Sequence, residues 1–413
     1  MRSLNPVSLH RRMLALAGLL LAGLTCVLPA TAGVRDAPGK NLQVALVTYG
    51  PGAIYWERFG HDAIQIRDTV SGESVNFNYG VFDFAQKSFL FNFARGRMNY
   101  MMDAEASAPE IAWYVKQGRS VRRQVLALSP QQAARLRDFL LWNLQPAHRH
   151  YRYNYYTNNC ATKVRDALNR VLDGDLEEQL SAIPSPFTYR EQTDRLMAGQ
   201  PWLMLLLDLG LSGYADRPLN AWQDAFLPVE LSHALNRVQD ETGATTSHLL
   251  VASDTLLSPN RLPPPPATAP NLIPPLALAG LVMALVLLLL GRSDHAFFQI
   301  VFGALASVWL LLAGMAGLLM LALWALTDHV AGWANANLLL FNPLAFLLLG
   351  AVWRHRATRR AHLTAWLITL LAALALAGNL TQYLAQQNLP WILMALPVWL
   401  AILHILRRRA ATA

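Results

Sequence analysis

The chain has 413 residues, of which 54% are hydrophobic and 15% charged, with two cysteines and a formal net charge of +8. This excludes intrinsic disorder and a purely soluble globule, since an ordinary soluble domain is about a quarter charged, and two cysteines exclude a disulfide scaffold. The positive balance does not imply a nucleic-acid partner: beyond Leu272 the only charges are Asp294, Asp328 and eight arginines beside apolar segments, while the middle of the chain is nearly neutral.

At the N-terminus, Arg11 and Arg12 precede an apolar run from Met13 to Leu28 and then Ala30-Thr31-Ala32. These are the three parts of a secretory signal over residues 1–32, with an uncleaved anchor as the alternative. Residues 33–257 are then an exported domain, long enough to bury its own core. Within it, 43–48 reads as a buried strand closed by Tyr49-Gly50-Pro51-Gly52. Residues 61–67 read as an alternating strand with Ile64 and Ile66 on one face and His61, Ala63, Gln65 and Arg67 on the other; 74–81 reads as a third. Helices are predicted over 130–144, 161–172 and 190–207, giving an α+β class with a small antiparallel sheet.

Residues 258–271 are a proline-rich linker, whose run Pro263 to Pro266 predicts a polyproline II stand-off from the membrane. From 272 to 413 an all-α membrane domain is expected, with apolar stretches at 272–290, 297–326, 338–353, 363–378 and 389–406. If the exported domain precedes the first span, every arginine here falls on one side, which predicts five spans and a cytoplasmic C-terminus in a bacterial inner membrane. The spans carry almost no ionisable residues, which argues against an ion transporter.

After signal cleavage Cys160 is the only cysteine. It follows Asn158-Asn159 and opens the predicted helix, where unpaired amides and the helix dipole favour a thiolate; a buried structural cysteine is the alternative. Of the histidines, His61 stands out at the start of a strand after Arg58-Phe59-Gly60, and spacing alone leaves its role as a base open. The histidines are scattered and no Cys or carboxylate cluster has ligand spacing, so no metal or other cofactor is expected.

Phe59-Gly60-His61, the run Phe77-Asn78-Tyr79-Gly80-Val81-Phe82-Asp83-Phe84, and Tyr153-Asn154-Tyr155-Tyr156-Thr157-Asn158-Asn159-Cys160-Ala161-Thr162 together resemble the Lnb-type bacterial membrane proteins. The likeness extends through Tyr189-Arg190, Pro201-Trp202, Phe226-Leu227-Pro228, Asn337-Leu338-Leu339 and Asn342-Pro343-Leu344. The order of histidine before cysteine is similar to the permuted branch of the NlpC/P60 superfamily. The resemblance implies a papain-like exported thiol domain, a five-helix membrane domain, and acyl transfer to the N-terminal amine of bacterial lipoproteins. It puts the nucleophile on Cys160 and the base on His61; Asp62 stands where a small hydroxyl residue is expected.

Such a reaction needs an acyl donor, here a membrane glycerolipid, an oxyanion site and a group that orients the imidazole. Asn78 is the first choice for the orienting group and Gln65 the second. The Cys160 amide with Asn159 or Tyr155 would stabilise the oxyanion. His329, Asn337 and Asn342, with Asp328, Trp333 and Asn335, are placed to bind a headgroup or dock the thiol domain. The alternatives are a peptidoglycan amidase or endopeptidase and a non-catalytic membrane scaffold.

Overall fold

The structure is a computed structural model that describes residues 32–82, 86–240, 248–381, 383 and 386–411. The expected signal segment, with Cys26, lies outside the described residues except for Ala32, as do Asp83 and Phe84.

Among the described residues the chain forms strands β1 (Leu42–Tyr49), β2 (His61–Asp68), β3 (Ser74–Phe82), β4 (Asn99–Ala106), β5 (Val121–Leu126), β6 (His150–Arg152), β7 (Gln239–Asp240), β8 (His248–Leu249) and β9 (Val251–Ser258). The sheet is larger than expected: seven strands in the order β6-β4-β3-β2-β1-β5-β9, antiparallel throughout, with β7 and β8 in a separate ribbon. Helices label as α1 (Phe89–Ala94), α2 (Ser107–Lys116), α3 (Pro130–Asn143), α4 (Cys160–Val171), α5 (Tyr189–Met197), α6 (Pro201–Gly210) and α7 (Pro228–Leu235).

Period-two alternation sends Leu46, Ile64, Ile66, Phe77 and Met102 to one face, where they pack with Leu136 and Leu140 of α3 and Val164 and Leu168 of α4. The other face buries Val47, Tyr49, Ala63 and Val121 against Ile111, Tyr114 and Val115 of α2. In α4 the buried Ala161, Val164, Ala167, Leu168 and Val171 follow a helical stripe, so its apolar side seats on the sheet and fixes where its N-terminus falls. The single helix expected over 190–207 is two, because Pro201 has no amide hydrogen to donate and its ring would clash with the carbonyl four residues earlier.

Four apolar segments beyond the linker are continuous α-helices: α8 (Ile273–Arg292), α9 (Ala296–Leu326), α10 (Arg359–Leu380) and α11 (Leu389–Ala411). The fifth segment long and apolar enough to cross a membrane, Val330–Leu348, is not the regular span expected over 338–353. It is three 3₁₀ turns, Val330–Gly332, Ala336–Leu339 and Pro343–Leu348. Irregular backbone survives at membrane depth only where protein surrounds it, and here Gly314 and Gly317 of α9 let Phe346 and Asn342 lie against that helix.

The exported domain is docked on the membrane part, not held off by its linker. Leu205 and Leu209 of α6 pack against the core of the membrane helices. The open carbonyls at the end of α6 are met from the other side: Asn335 Nδ2 donates to the oxygens of Leu209, Gly210 and Leu211 at 2.9, 3.0 and 3.3 Å, and Asn337 Nδ2 to Leu209 O at 2.9 Å. Gln386 and Asn388 donate to the Oδ1 atoms of Asn335 and Asn337 and hold both amides in that orientation. Beneath this clamp Arg190, 3% exposed, pairs with Asp208 at 2.7 Å and Asp216 at 2.6 Å. Trp391 Nε1 and the Gln387 amide of the membrane part donate to the same two carboxylates.

Candidate active site

Cys160 is the first residue of α4. Asn159 caps that helix, its Oδ1 accepting from the Thr162 amide at 2.9 Å while Thr162 Oγ1 accepts from the Asn159 amide at 2.7 Å. The cap turns the chain so that the backbone amides of Asp62, Ala161 and Cys160 itself lie near the sulfur and favour its thiolate form. The helix start can approach β3 this closely because residue 80 is glycine: φ is +87°, and a Cβ there would lie 3.3 Å from the Cys160 Cβ.

The Asp62 amide belongs to the residue after His61, so the start of β2 and the start of α4 meet across about a hundred positions of sequence. His61 Nε2 lies 2.9 Å from Asn78 Oδ1, and Asn78 Nδ2 donates to Glu110 Oε2 at 2.8 Å. Glu110 Oε1 accepts from the Tyr49 hydroxyl at 2.7 Å, and that hydroxyl accepts from Asn76 Nδ2 at 3.0 Å. Asn76 Oδ1 in turn accepts from Ser107 at 2.7 Å. Two runs of donors converge on the Glu110 carboxylate, Ser107–Asn76–Tyr49 from one side and Asn78 from the other, so Asn78 gives its NH₂ to Glu110 and presents its carbonyl to the imidazole. His61 therefore carries its hydrogen on Nε2 and leaves Nδ1 as the acceptor. The ring stacks in parallel with Tyr49 and Tyr114, at 6.0 and 6.2 Å between centroids.

Burial lowers His61 to about 4, with the Arg119 charge adding to the fall and the Asn78 bond opposing it. It also pushes Cys160 up to about 12; the neighbouring Asp62 carboxyl adds to this and the three amides oppose it. Desolvation thus works against the expected resting thiolate, opposing the helix start, and favours the neutral forms of both groups. Asp62 is itself fully buried and raised by desolvation, with Oδ1 accepting from Thr48 at 2.7 Å and Oδ2 without a hydrogen-bond partner. Alkylation of Cys160 by iodoacetamide is expected to rise about tenfold per pH unit from 7 to 10. A plateau below pH 7 would mean a thiolate–imidazolium pair instead.

Asn78 meets His61. Gln65 does not: its amide donates to Asn76 at 3.3 Å and its carbonyl accepts from Arg123 at 2.5 Å, because it lies four residues along the strand from the ring, beyond Ala63 on the same face. Asn159 cannot supply an oxyanion donor, since both amide hydrogens are committed to the carbonyls of Tyr155 and Phe226 at 2.9 Å. Tyr155 faces His329, with its hydroxyl 3.4 Å from Nδ1. Asn337 clamps α6. Asn342 caps the 3₁₀ turn at Leu344 at 3.1 Å and leaves Nδ2 buried without a hydrogen-bond partner. The reading from sequence missed Glu110 and Tyr153, whose hydroxyl stays protonated through burial and the nearby Cys160. Among the described residues no group of three His, Cys, Asp or Glu could hold a metal ion.

Residues 32–195 match the Lnb N-terminal periplasmic domain and residues 267–410 the Lnb transmembrane domain. No curated protein and no solved structure matches. The two matches fall on the sheet domain that carries Cys160 and His61 and on the five apolar segments, as expected of a multi-pass membrane protein with a periplasmic domain. The α+β domain followed by five apolar segments has the architecture of that family, and the chain belongs to the Lnb family.

Proposed function

We propose that this protein is a cysteine-dependent acyltransferase that moves an acyl chain from a membrane glycerolipid to the N-terminal amine of a bacterial lipoprotein. The observation that carries the reading is a half-buried thiol at a capped helix start that meets the strand opening with His61, a histidine whose Nδ1 is left free to accept a proton. When a donor ester enters, the Cys160 proton passes to His61 Nδ1 and the sulfur attacks the carbonyl carbon. The oxyanion forms at the amides that face the sulfur. The ester C–O bond breaks, the imidazolium returns the proton to the departing lysolipid oxygen, and a thioester remains. The acceptor amine then attacks that thioester, His61 takes its proton, and the thiol is restored as the amide forms.

In this reading residues 1–32 are a cleaved signal, 33–257 act in the periplasm, 258–271 connect them to the inner membrane, and the C-terminus is cytoplasmic. The test uses the full chain in vesicles of phospholipid radiolabelled in its acyl chains. Label is expected on the wild-type protein as a hydroxylamine-labile adduct and absent from Cys160→Ala. Stem-peptide release from purified cell wall, with no labelled adduct, would replace the reading with an amidase.

A further inference from the structure

We propose that α1 lies in the lipid leaflet beside the membrane helices, and that the aromatic track running from it to Cys160 is the path of a single acyl chain. The first half of the claim rests on placement. In the sequence Phe-Leu-Phe-Asn-Phe-Ala, Leu90 is 78% exposed and Phe91 61%, and Phe93 is exposed as well, an uncommon concentration of large apolar side chains on six residues. The segment is fastened to the end of a membrane helix: the Asp328 amide donates to Arg95 O at 2.8 Å, and Arg97 and Arg152 both pair with the Asp328 carboxylate. Gly96 makes this closeness possible, since a Cβ there would lie 3.0 Å from the Asp328 and His329 backbone. The exposed face of α1 thus continues the apolar surface of α9, which ends in exposed Trp324 and Leu326. Lys87 and Arg95 flank the hexapeptide with the charge that suits lipid phosphate. The occupant that matches an apolar face bracketed by cations and continuous with a membrane span is the bilayer.

The second half follows the rings inward. Phe93 lies 6.3 Å from Phe89, Phe89 6.3 Å from Phe82, Phe82 4.5 Å from Tyr100 and Tyr100 4.2 Å from Tyr153, all between ring centroids. Tyr153 flanks Gly80, which lies against Cys160, and Cys160 itself is partly exposed. An acyl chain laid along these rings would stay in apolar contact from the leaflet to the sulfur, so the ester need not cross water. This path rests on the thioester reading above; the leaflet contact does not.

Both parts are tested on full-length Cys160→Ala protein in phosphatidylethanolamine and phosphatidylglycerol vesicles containing a phospholipid with a diazirine midway along one acyl chain. After illumination, peptide mass spectrometry is expected to find lipid adducts on Leu90, Phe91 or Phe93 and on Phe82 or Tyr100. Val70, equally exposed at the opposite end of the β2–β3 hairpin, should carry none. Adducts confined to the membrane helices overturn the proposal, and adducts on 90–93 without any at Phe82 or Tyr100 overturn the path. The cross-link does not depend on the thiol, so wild-type protein that forms no thioester while the variant still gives these adducts refutes the acyl-transfer reading and leaves the lipid contact standing.

Discussion

Replacing Arg190 with alanine is expected to destabilise the folded protein by about 3–5 kcal/mol, the range for removing one member of a buried ion pair. The guanidinium is 3% exposed and donates to the carboxylates of Asp208 and Asp216 and to the carbonyls of Asp208 and Leu211. Without it two carboxylates stay buried with no cation beside them, Asp208 keeping Trp391 Nε1 and the Asp194 carboxyl and Asp216 the Gln387 amide. Asp194 does not replace the lost cation: burial and the Asp208 charge push it up to about 8, and its carboxyl can only donate a single hydrogen bond to Asp208. Arg190→Lys should recover little, because one ammonium cannot reproduce a fork that serves two carboxylates and two carbonyls. Adding Asp208→Asn and Asp216→Asn to Arg190→Met should recover most of the loss, since no unpaired charge then remains. Unfolding in detergent, followed by denaturant titration, reads all three; a loss under about 1 kcal/mol for Arg190→Ala would place the cluster with solvent-screened pairs. The carboxylates belong to one domain and their outer donors to the other, so the same variant should loosen the docking that holds the thiol domain on the membrane part.

How far this arrangement could be read from sequence depends on how local its cause is. The membrane helices and their arginine asymmetry are properties of composition over twenty residues, and the Asn159 cap and the α4 stripe are properties of a dozen. Those were legible. Strands β4, β5 and β9 were not, because Asn99–Ala106, Val121–Leu126 and Val251–Ser258 carry charged or exposed residues that break the apolar alternation, and the neighbours they pair with are met only in the folded chain. Asn335 and Asn337 show in sequence only as polar residues near a membrane boundary; that they cap a helix more than 120 positions away is a tertiary fact. The burial of Cys160 was illegible for the same reason. A helix N-terminus argues for a thiolate, but the burial that opposes it exists only where α4 seats on the sheet. Glu110 could have been suspected only as an acidic residue opening an otherwise apolar helix, and nothing local ties it to Asn78.

His61→Gln is expected to slow acyl-enzyme formation by about 10²–10⁴-fold, the usual contribution of a positioned general base, with little change in unfolding stability because the ring makes one side-chain hydrogen bond. The thiol is poor at giving up its proton unaided, being pushed up to about 12, so removing the acceptor should weigh at the upper end of that range. Since burial holds His61 near 4, the acid limb of the rate of acyl-enzyme formation is expected close to pH 4, in place of the 6 to 7 of an exposed imidazole. Glu110→Gln probes the tautomer separately. A glutamine can turn its NH₂ toward Asn78, which would rotate the Asn78 amide and present a donor to Nε2; His61 must then carry its hydrogen on Nδ1, facing away from catalysis as an acceptor. The rate should fall by about tenfold or more while the fold, the Cys160 cap and the amides around the sulfur are unchanged. Asn78→Ala should fall less than Glu110→Gln, because an absent partner leaves both tautomers available whereas a reversed one enforces the wrong form. Equal losses in the two variants would mean that Asn78 only fills space beside the ring, and that the orientation Glu110 imposes on the Asn78 amide has no part in the reaction.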